Sequence, residues 1–255
     1  MMSPTKSQPL RPVERTNSEG KPVGNKTLLA LPDEEFQVIR PHLQFVDLDR
    51  HLTLHEPHRV MKFAHFPNAG VISLVIEMKD GKSVEAGLLG NDGASGMSAV
   101  LGLSRSPLRE VVQVAGNGFR VRVDMLRRLL PSTPLFRIIL SRYAAGLAIQ
   151  ISQTAACNRI HKIEERLARW LLMAQDRVNS EIVPITHDFL AMMLGTDRSS
   201  VTVASGVLQR KKIIRYTRGA VKIVNRKKLE QFACECYAVV KQYNGEPTEN
   251  LASNS

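Results

Sequence analysis

The sequence predicts an α+β protein in which an N-terminal antiparallel β-roll is joined by one long helix to a C-terminal winged helix-turn-helix. Three features of the 255 residues point there. Across 45–123, short runs of β-branched and apolar residues alternate with turn signals, and no helical crossover interrupts them, as expected of antiparallel strands rather than a doubly wound sheet. Across 131–161, apolar residues recur at alternating steps of four and three, the spacing of a long helix with a single seam. Across 184–225, two short helical patterns are separated by a glycine and followed by a basic hairpin.

Taken in order, 1–24 is rich in Pro, Ser, Lys and Arg without apolar periodicity and is expected to be a disordered arm. A short helix over 28–43 has Pro32 in its first turn, Asp33, Glu34 and Glu35 near its positive end, and Pro41 closing it. The roll is assigned to 25–130, with strands read at 52–54, 60–64, 71–78, 84–89, 110–115 and 119–123. Turns are read at 67–70, 79–82 and 116–118. The long helix, 131–161, carries a seam of Phe136, Leu140, Tyr143, Leu147, Gln150 and Thr154. Such a stripe either zips two copies together or packs on the chain's own β-domain. A homodimer is the expectation, because one helix-turn-helix offers little contact and symmetric dimers dominate oligomers. The C-terminal domain is assigned to 162–243, beginning with a helix whose Leu167, Trp170, Leu171 and Ala174 share a face and ending with a helix over 227–243. The segment 244–255 reads as a disordered polar tail.

Inside that domain, Thr186 supplies a hydroxyl to cap a helix that ends at Gly195, and Asp197 caps a second one bearing Val201, Ala204 and Leu208 on its inward face. The outward face starts with Arg198, Ser199, Ser200 and Thr202, where a guanidinium and short hydroxyls suit base edges in a major groove. From Gly195 to Lys228 there are ten basic residues against the single acid Asp197, so most of the chain's net charge of +11 lies in this segment, as phosphate neutralisation requires. The candidate DNA contacts are Thr186, Arg198, Ser199, Ser200, Thr202, Lys212 and Arg218. The partner they imply is double-stranded DNA.

The order of β-roll, long helix, helix at 162–178, turn, recognition helix and hairpin resembles the Crp/Fnr family of bacterial transcription regulators. The resemblance covers about 28–240 and is strongest over 162–224. It implies a cyclic-nucleotide-binding-like roll, a dimeric regulator, and RNA polymerase as a further partner where transcription is activated. Where the family's recognition helix commonly carries Arg, Glu and Arg, this sequence has Arg198, Ser199 and Val203, so only the first base contact carries over. Gly90, Asp92, Ser95 and Arg109 stand at the places of the family's phosphate-binding cassette and are the candidate effector pocket. Ala94, however, replaces the family's ribose-binding glutamate, and Glu110 puts a carboxylate where a phosphate needs a hydroxyl. The expected effector is an unknown small molecule other than a cyclic nucleotide held in the family's usual way, or there is none.

No cofactor or metal is expected. The three cysteines, Cys157, Cys234 and Cys236, lack the N-terminal grouping of the family's iron–sulfur sensor. Cys234 and Cys236 lack the two-residue gap of a zinc pair and are expected to point to different sides of one helix. His51, His55, His58 and His65 have no diagnostic spacing. With no secretory signal and no long uninterrupted apolar run, the reading is cytoplasmic with no membrane partner. The competing class is a small-molecule-binding protein or an enzyme with an incidental basic domain. No nucleophile elbow, paired catalytic carboxylates or phosphate-loop lysine supports catalysis, so the chain reads as a non-enzyme.

Overall fold

The computed structural model describes residues 15–178 and 180–244. The expected arm therefore falls partly outside the described residues, at 1–14, as does the expected tail from 245 onward. The rest of the arm is not disordered. Thr16 pairs with Pro22 in an isolated bridge, the buried Asn17 donates its Nδ2 to the Leu43 carbonyl at 3.0 Å, and Arg15 bonds Asp33 at 2.6 Å. Polar residues hold this segment to the roll, and hydrophobic periodicity is blind to that.

Two short helices follow, α1 (Lys26–Leu29) and α2 (Asp33–Ile39), with a 3-10 turn at Arg40–His42. The roll is one antiparallel sheet of β1 (Gln44–Leu48), β2 (Thr53–His55), β3 (Phe63–Glu77), β4 (Ser83–Leu89) and β5 (Arg109–Arg122), ordered β1-β5-β3-β4 with β2 also on β5. A short α3 (Met97–Val100), which the sequence reading missed, lies between β4 and β5. The turns expected at 67–70 and 116–118 are absorbed into β3 and β5, whose register shifts there through bulges. Gly116 and Gly118 serve close backbone approach instead of turning the chain. A Cβ on either would overlap the carbonyl of Ala69 or Phe66 on the neighbouring strand.

α4 (Val123–Leu129) leads into α5 (Pro134–Ile160), a helix of 27 residues. Its first free amides are met by Glu35 of α2, which accepts from Leu135 N at 2.9 Å and Phe136 N at 2.7 Å. By length and composition α5 is the one described helix long and apolar enough to cross a membrane, although Arg137, Arg142 and Arg159 interrupt it. Only about 22% of its most apolar window is buried.

The seam expected to meet a second copy is instead filled by the chain itself. Phe136 and Leu140 are fully buried in the roll core with Phe66 and Phe119, and the Tyr143 ring lies over Gly93, where any Cβ would overlap it. Leu147 packs with Ile72 and Leu89, and Gln150 accepts from the Leu88 amide at 2.7 Å. Thr154 accepts from Arg169 at 3.0 Å. Burying the phenylalanines and leucines of this stripe is worth about 1.5–3 kcal/mol each, and the unpaired edge of the roll supplies the partner surface.

α6 (Ile163–Val178) starts the C-terminal half and docks on the roll. Trp170, 1% exposed, donates its indole N–H to Glu85 Oε1 at 2.8 Å, and Ser73 donates to Glu85 Oε2 at 2.5 Å. The buried Arg177 pairs with Asp92 at 2.8 Å. β6 (Ile182–Val183), α7 (His187–Leu194), α8 (Arg198–Arg210), β7 (Ile214–Thr217) and β8 (Ala220–Ile223) complete a three-stranded wing ordered β6-β8-β7, one strand more than expected. The last expected helix is two, α9 (Arg226–Phe232) and α10 (Cys236–Asn244), because Ala233 turns to an extended conformation between them. The end of α10 lies against α5 at Gly146.

Burial pushes the Glu85 carboxyl up to about 7 from 4.5, against the opposing pull of its Ser73 and Trp170 hydrogen bonds. The folded chain thus keeps a proton that the unfolded chain releases near pH 4.5, so Glu85's contribution is complete below that pH and is lost as pH climbs through 7. Urea unfolding of the wild type and Glu85→Gln across this window should show the wild type losing up to about 3 kcal/mol relative to the variant. A constant difference between the two proteins would contradict the assignment.

Candidate nucleic-acid interface

Local chemistry sets the position of α8. Thr186 Oγ1 accepts from Phe189 N at 3.3 Å and caps α7, and Gly195 closes it in the left-handed region at φ +57°. Asp197 then caps α8, accepting from Ser200 N at 2.8 Å. Leu190, Leu194, Val201, Ala204 and Leu208 are fully buried in the core that α6 shares with the wing, which fixes the angle between the two helices. His187 packs in a tilted arrangement against Tyr216 of β7 with ring centroids 3.9 Å apart, tying the start of α7 to the wing, and burial lowers its imidazole pKa.

The leading face of α8 is turned outward. Arg198 is exposed, with a loose pairing to the equally exposed Asp188 at 3.5 Å, so its guanidinium is free to exchange that partner for a base. The hydroxyls beside it are likewise engaged within the chain. Ser199 and Ser200 both donate to Asp197, and Thr202 donates to the Arg198 carbonyl at 2.9 Å while meeting His187 Nδ1 at 3.2 Å. These bonds hold the Asp197 carboxyl well below the ordinary range and keep its charge on its own helix amides. Thr186 likewise serves as a cap. Val203, exposed at 63% on the same face, was absent from the expected contacts, although its position one turn beyond Ser199 could have marked it. It offers an apolar surface of the kind that meets a thymine methyl.

Lys212 stands exposed just beyond α8 in a left-handed conformation at φ +56°, and Arg218 is exposed at the tip of the wing beside Gly219. With Lys211, Arg215 and Lys222, also exposed, they surround α8 with positive charge, against which stand Asp188 and Asp197 at its start and Glu181, which pairs with Lys222 at 3.5 Å. That distribution suits phosphates on either side of an inserted helix.

The four expected effector residues do not converge. Gly90 N donates to Asp92 Oδ1 at 3.0 Å, and Asp92 is held by Arg177. Ser95 is buried against His65 Nδ1 at 3.1 Å. Arg109 points outward into ion pairs with Glu56 at 3.0 Å and Glu77 at 2.6 Å. The cradle that would take an anion is filled from within, since both Glu110 oxygens accept from the Gly96 amide at 3.2 Å. Burial pushes Glu110 up to about 7 and pulls its neighbour His55, 3.5 Å away, down to about 4, while burial lowers His65 to about 3. The pair is therefore neutral in mildly acidic solution. Of the other histidines, His51 stacks on Phe189 and His58 lies in a left-handed turn at φ +61°.

The family model described as a Crp-like helix-turn-helix domain matches residues 165–232. No curated protein matches the sequence. Among solved structures, the FixK2 protein of Bradyrhizobium japonicum is similar at 13% identity with a TM-score of 0.62, over 75% of this chain and 98% of that one. A CRP-family transcriptional regulator of Thermus thermophilus matches at 18% identity and a TM-score of 0.61, over 74% and 96%. A c-di-GMP responsive global regulator of Xanthomonas campestris matches at 13% identity and a TM-score of 0.60, over 74% and 96%. The likeness to these structures shows the fold, and the stretch that matches a Crp-like helix-turn-helix domain is the one that carries the exposed Arg198 and the basic wing.

Proposed function

We propose that this protein is a DNA-binding transcription regulator of the Crp/Fnr type that acts in the cytoplasm as a homodimer on a roughly palindromic operator, placing two copies of α8 in successive major grooves about 34 Å apart. The observation that carries the reading is the free, arginine-led face of α8 ringed by exposed lysines and arginines. No catalytic step enters it.

The dimer contact in this reading is the outer face of α5, not the inward seam. Ser141, Ala145, Ala148, Ser152 and Ala155 are exposed at helical spacing along it, with Leu135 at one end, and small residues allow two helices to approach closely. RNA polymerase is the further partner if the protein activates transcription. The roll responds to something other than a cyclic nucleotide, or the dimer is competent without an effector, because Glu110 occupies the Gly96 amide and Tyr143 covers Gly93.

Four outcomes are expected. In gel shifts at fixed salt, Arg198→Ala should reduce discrimination at one operator position by about 1–3 kcal/mol. Arg218→Ala, or Lys212→Gly, which keeps the left-handed backbone, should weaken all sequences alike and reduce the salt slope by about 1. An unchanged operator preference in the Arg198 variant would remove α8 from its reading role. In sedimentation, Ala145→Arg with Ala148→Glu should convert the dimer to monomers with the fold intact by circular dichroism; a persistent dimer would place the contact elsewhere. Finally, cyclic AMP and cyclic GMP at millimolar concentration should leave Tm unchanged, whereas a saturable rise would show that Glu110 gives way to a phosphate.

A further inference from the structure

Cys157, His161, Cys234 and Cys236 come together although 77 residues separate Cys157 from Cys234. Their sulfur and nitrogen atoms all lie within 4.8 Å of one another. Cys157 Sγ is 3.5 Å from Cys234 Sγ, and Cys236 Sγ is 3.5 Å from His161 Nδ1. The three thiols are buried. We propose that these four side chains form a tetrahedral site for a single zinc-class cation, clasping the end of α5 to the joint between α9 and α10.

The spacing fits one ion. Zn–S bonds of about 2.3 Å and Zn–N bonds of about 2.0–2.1 Å at tetrahedral angles put neighbouring donor atoms about 3.5–3.8 Å apart. An iron–sulfur cluster holds its thiolates on different irons and needs them further apart. Three sulfurs and one imidazole nitrogen favour zinc over magnesium or calcium, which take oxygen.

The surroundings are those of a ligand set. Glu235 Oε2 lies 3.2 Å from His161 Nε2, so it accepts that N–H and leaves the Nδ1 lone pair facing the sulfurs, the pairing that orients a metal-bound histidine. Gln153 Nε2 donates to Cys236 Sγ at 3.1 Å, as a thiolate ligand requires. Three thiolates around a divalent cation leave one net negative charge. The buried Arg166 and Arg169, which follow on α6, are placed to balance it, and each has a buried Nε with no partner. The expected obstacle, that Cys234 and Cys236 point to different sides of one helix, does not hold. Cys234 precedes α10 and Cys236 begins it, so the break after α9 turns both inward.

The full-length protein, reduced and stripped with a chelator, should take up one equivalent of Co2+ per chain. The expected signature is sulfur-to-cobalt charge transfer in the near ultraviolet with intense tetrahedral visible bands, displaced by Zn2+, and zinc should raise Tm. Cys157→Ser should lose the band. Glu235→Gln, an exposed change that leaves all four donors in place, should keep the stoichiometry and weaken affinity about 10- to 100-fold. Arg198→Ala should bind cobalt as the wild type does, which separates this site from the DNA-binding reading. The proposal is overturned if the reduced wild type gives no thiolate band, if Cys157→Ser gives the wild-type band, or if the protein is recovered under reductant as a Cys157–Cys234 disulfide.

Discussion

The position of the helix-turn-helix half rests on a buried carboxyl. Glu85 lies on β4 with no access to water, and its two oxygens take one hydrogen bond from its own sheet, through Ser73, and one from α6, through Trp170. An unpaired carboxyl in such a place would be expensive, so the roll can bury this strand only when α6 is seated on it. Arg177 and Asp92 repeat the same logic two turns further along α6. The recognition helix is therefore held at a definite place on the roll by polar groups that neither half could hide alone.

α5 mediates between the halves and has two unlike faces. Its inner face mixes Phe136 and Leu140, which fill the roll, with Gln150 and Thr154, which satisfy a strand amide and an arginine. Its outer face is small and weakly polar in the middle and carries the exposed Arg137 and Arg159 towards its ends. The C-terminal helix α10 returns to this same helix, so the end of the chain bears on the element that leaves the roll.

Much of this was legible in the sequence because its determinants are local. Thr186, Gly195 and Asp197 each act within four residues of themselves, and a basic hairpin after a helix reads from composition and spacing alone. The seam on α5 was legible as a stripe but not in direction, since periodicity says that Phe136 and Leu140 are covered without saying by what. The bulges at Gly116 and Gly118 mimic turns because glycine serves both close approach and reversal. The intrachain partners of Ser199, Ser200 and Thr202 were not legible, because a short side chain near a helix start bonds the backbone or the cap as readily as a ligand. The cysteine grouping was invisible, because its members meet only through the tertiary packing of α5 against the final helix.

Glu110 gives the roll a tethered competitor. Any external anion approaching the Gly96 amide meets a carboxyl attached to the adjacent strand, present at a local effective concentration far above that of a free ligand. The incoming group must displace it and also find a place for it, beside a histidine that burial keeps neutral. An anion can reach that amide only by an exchange in which the roll gives up an internal bond.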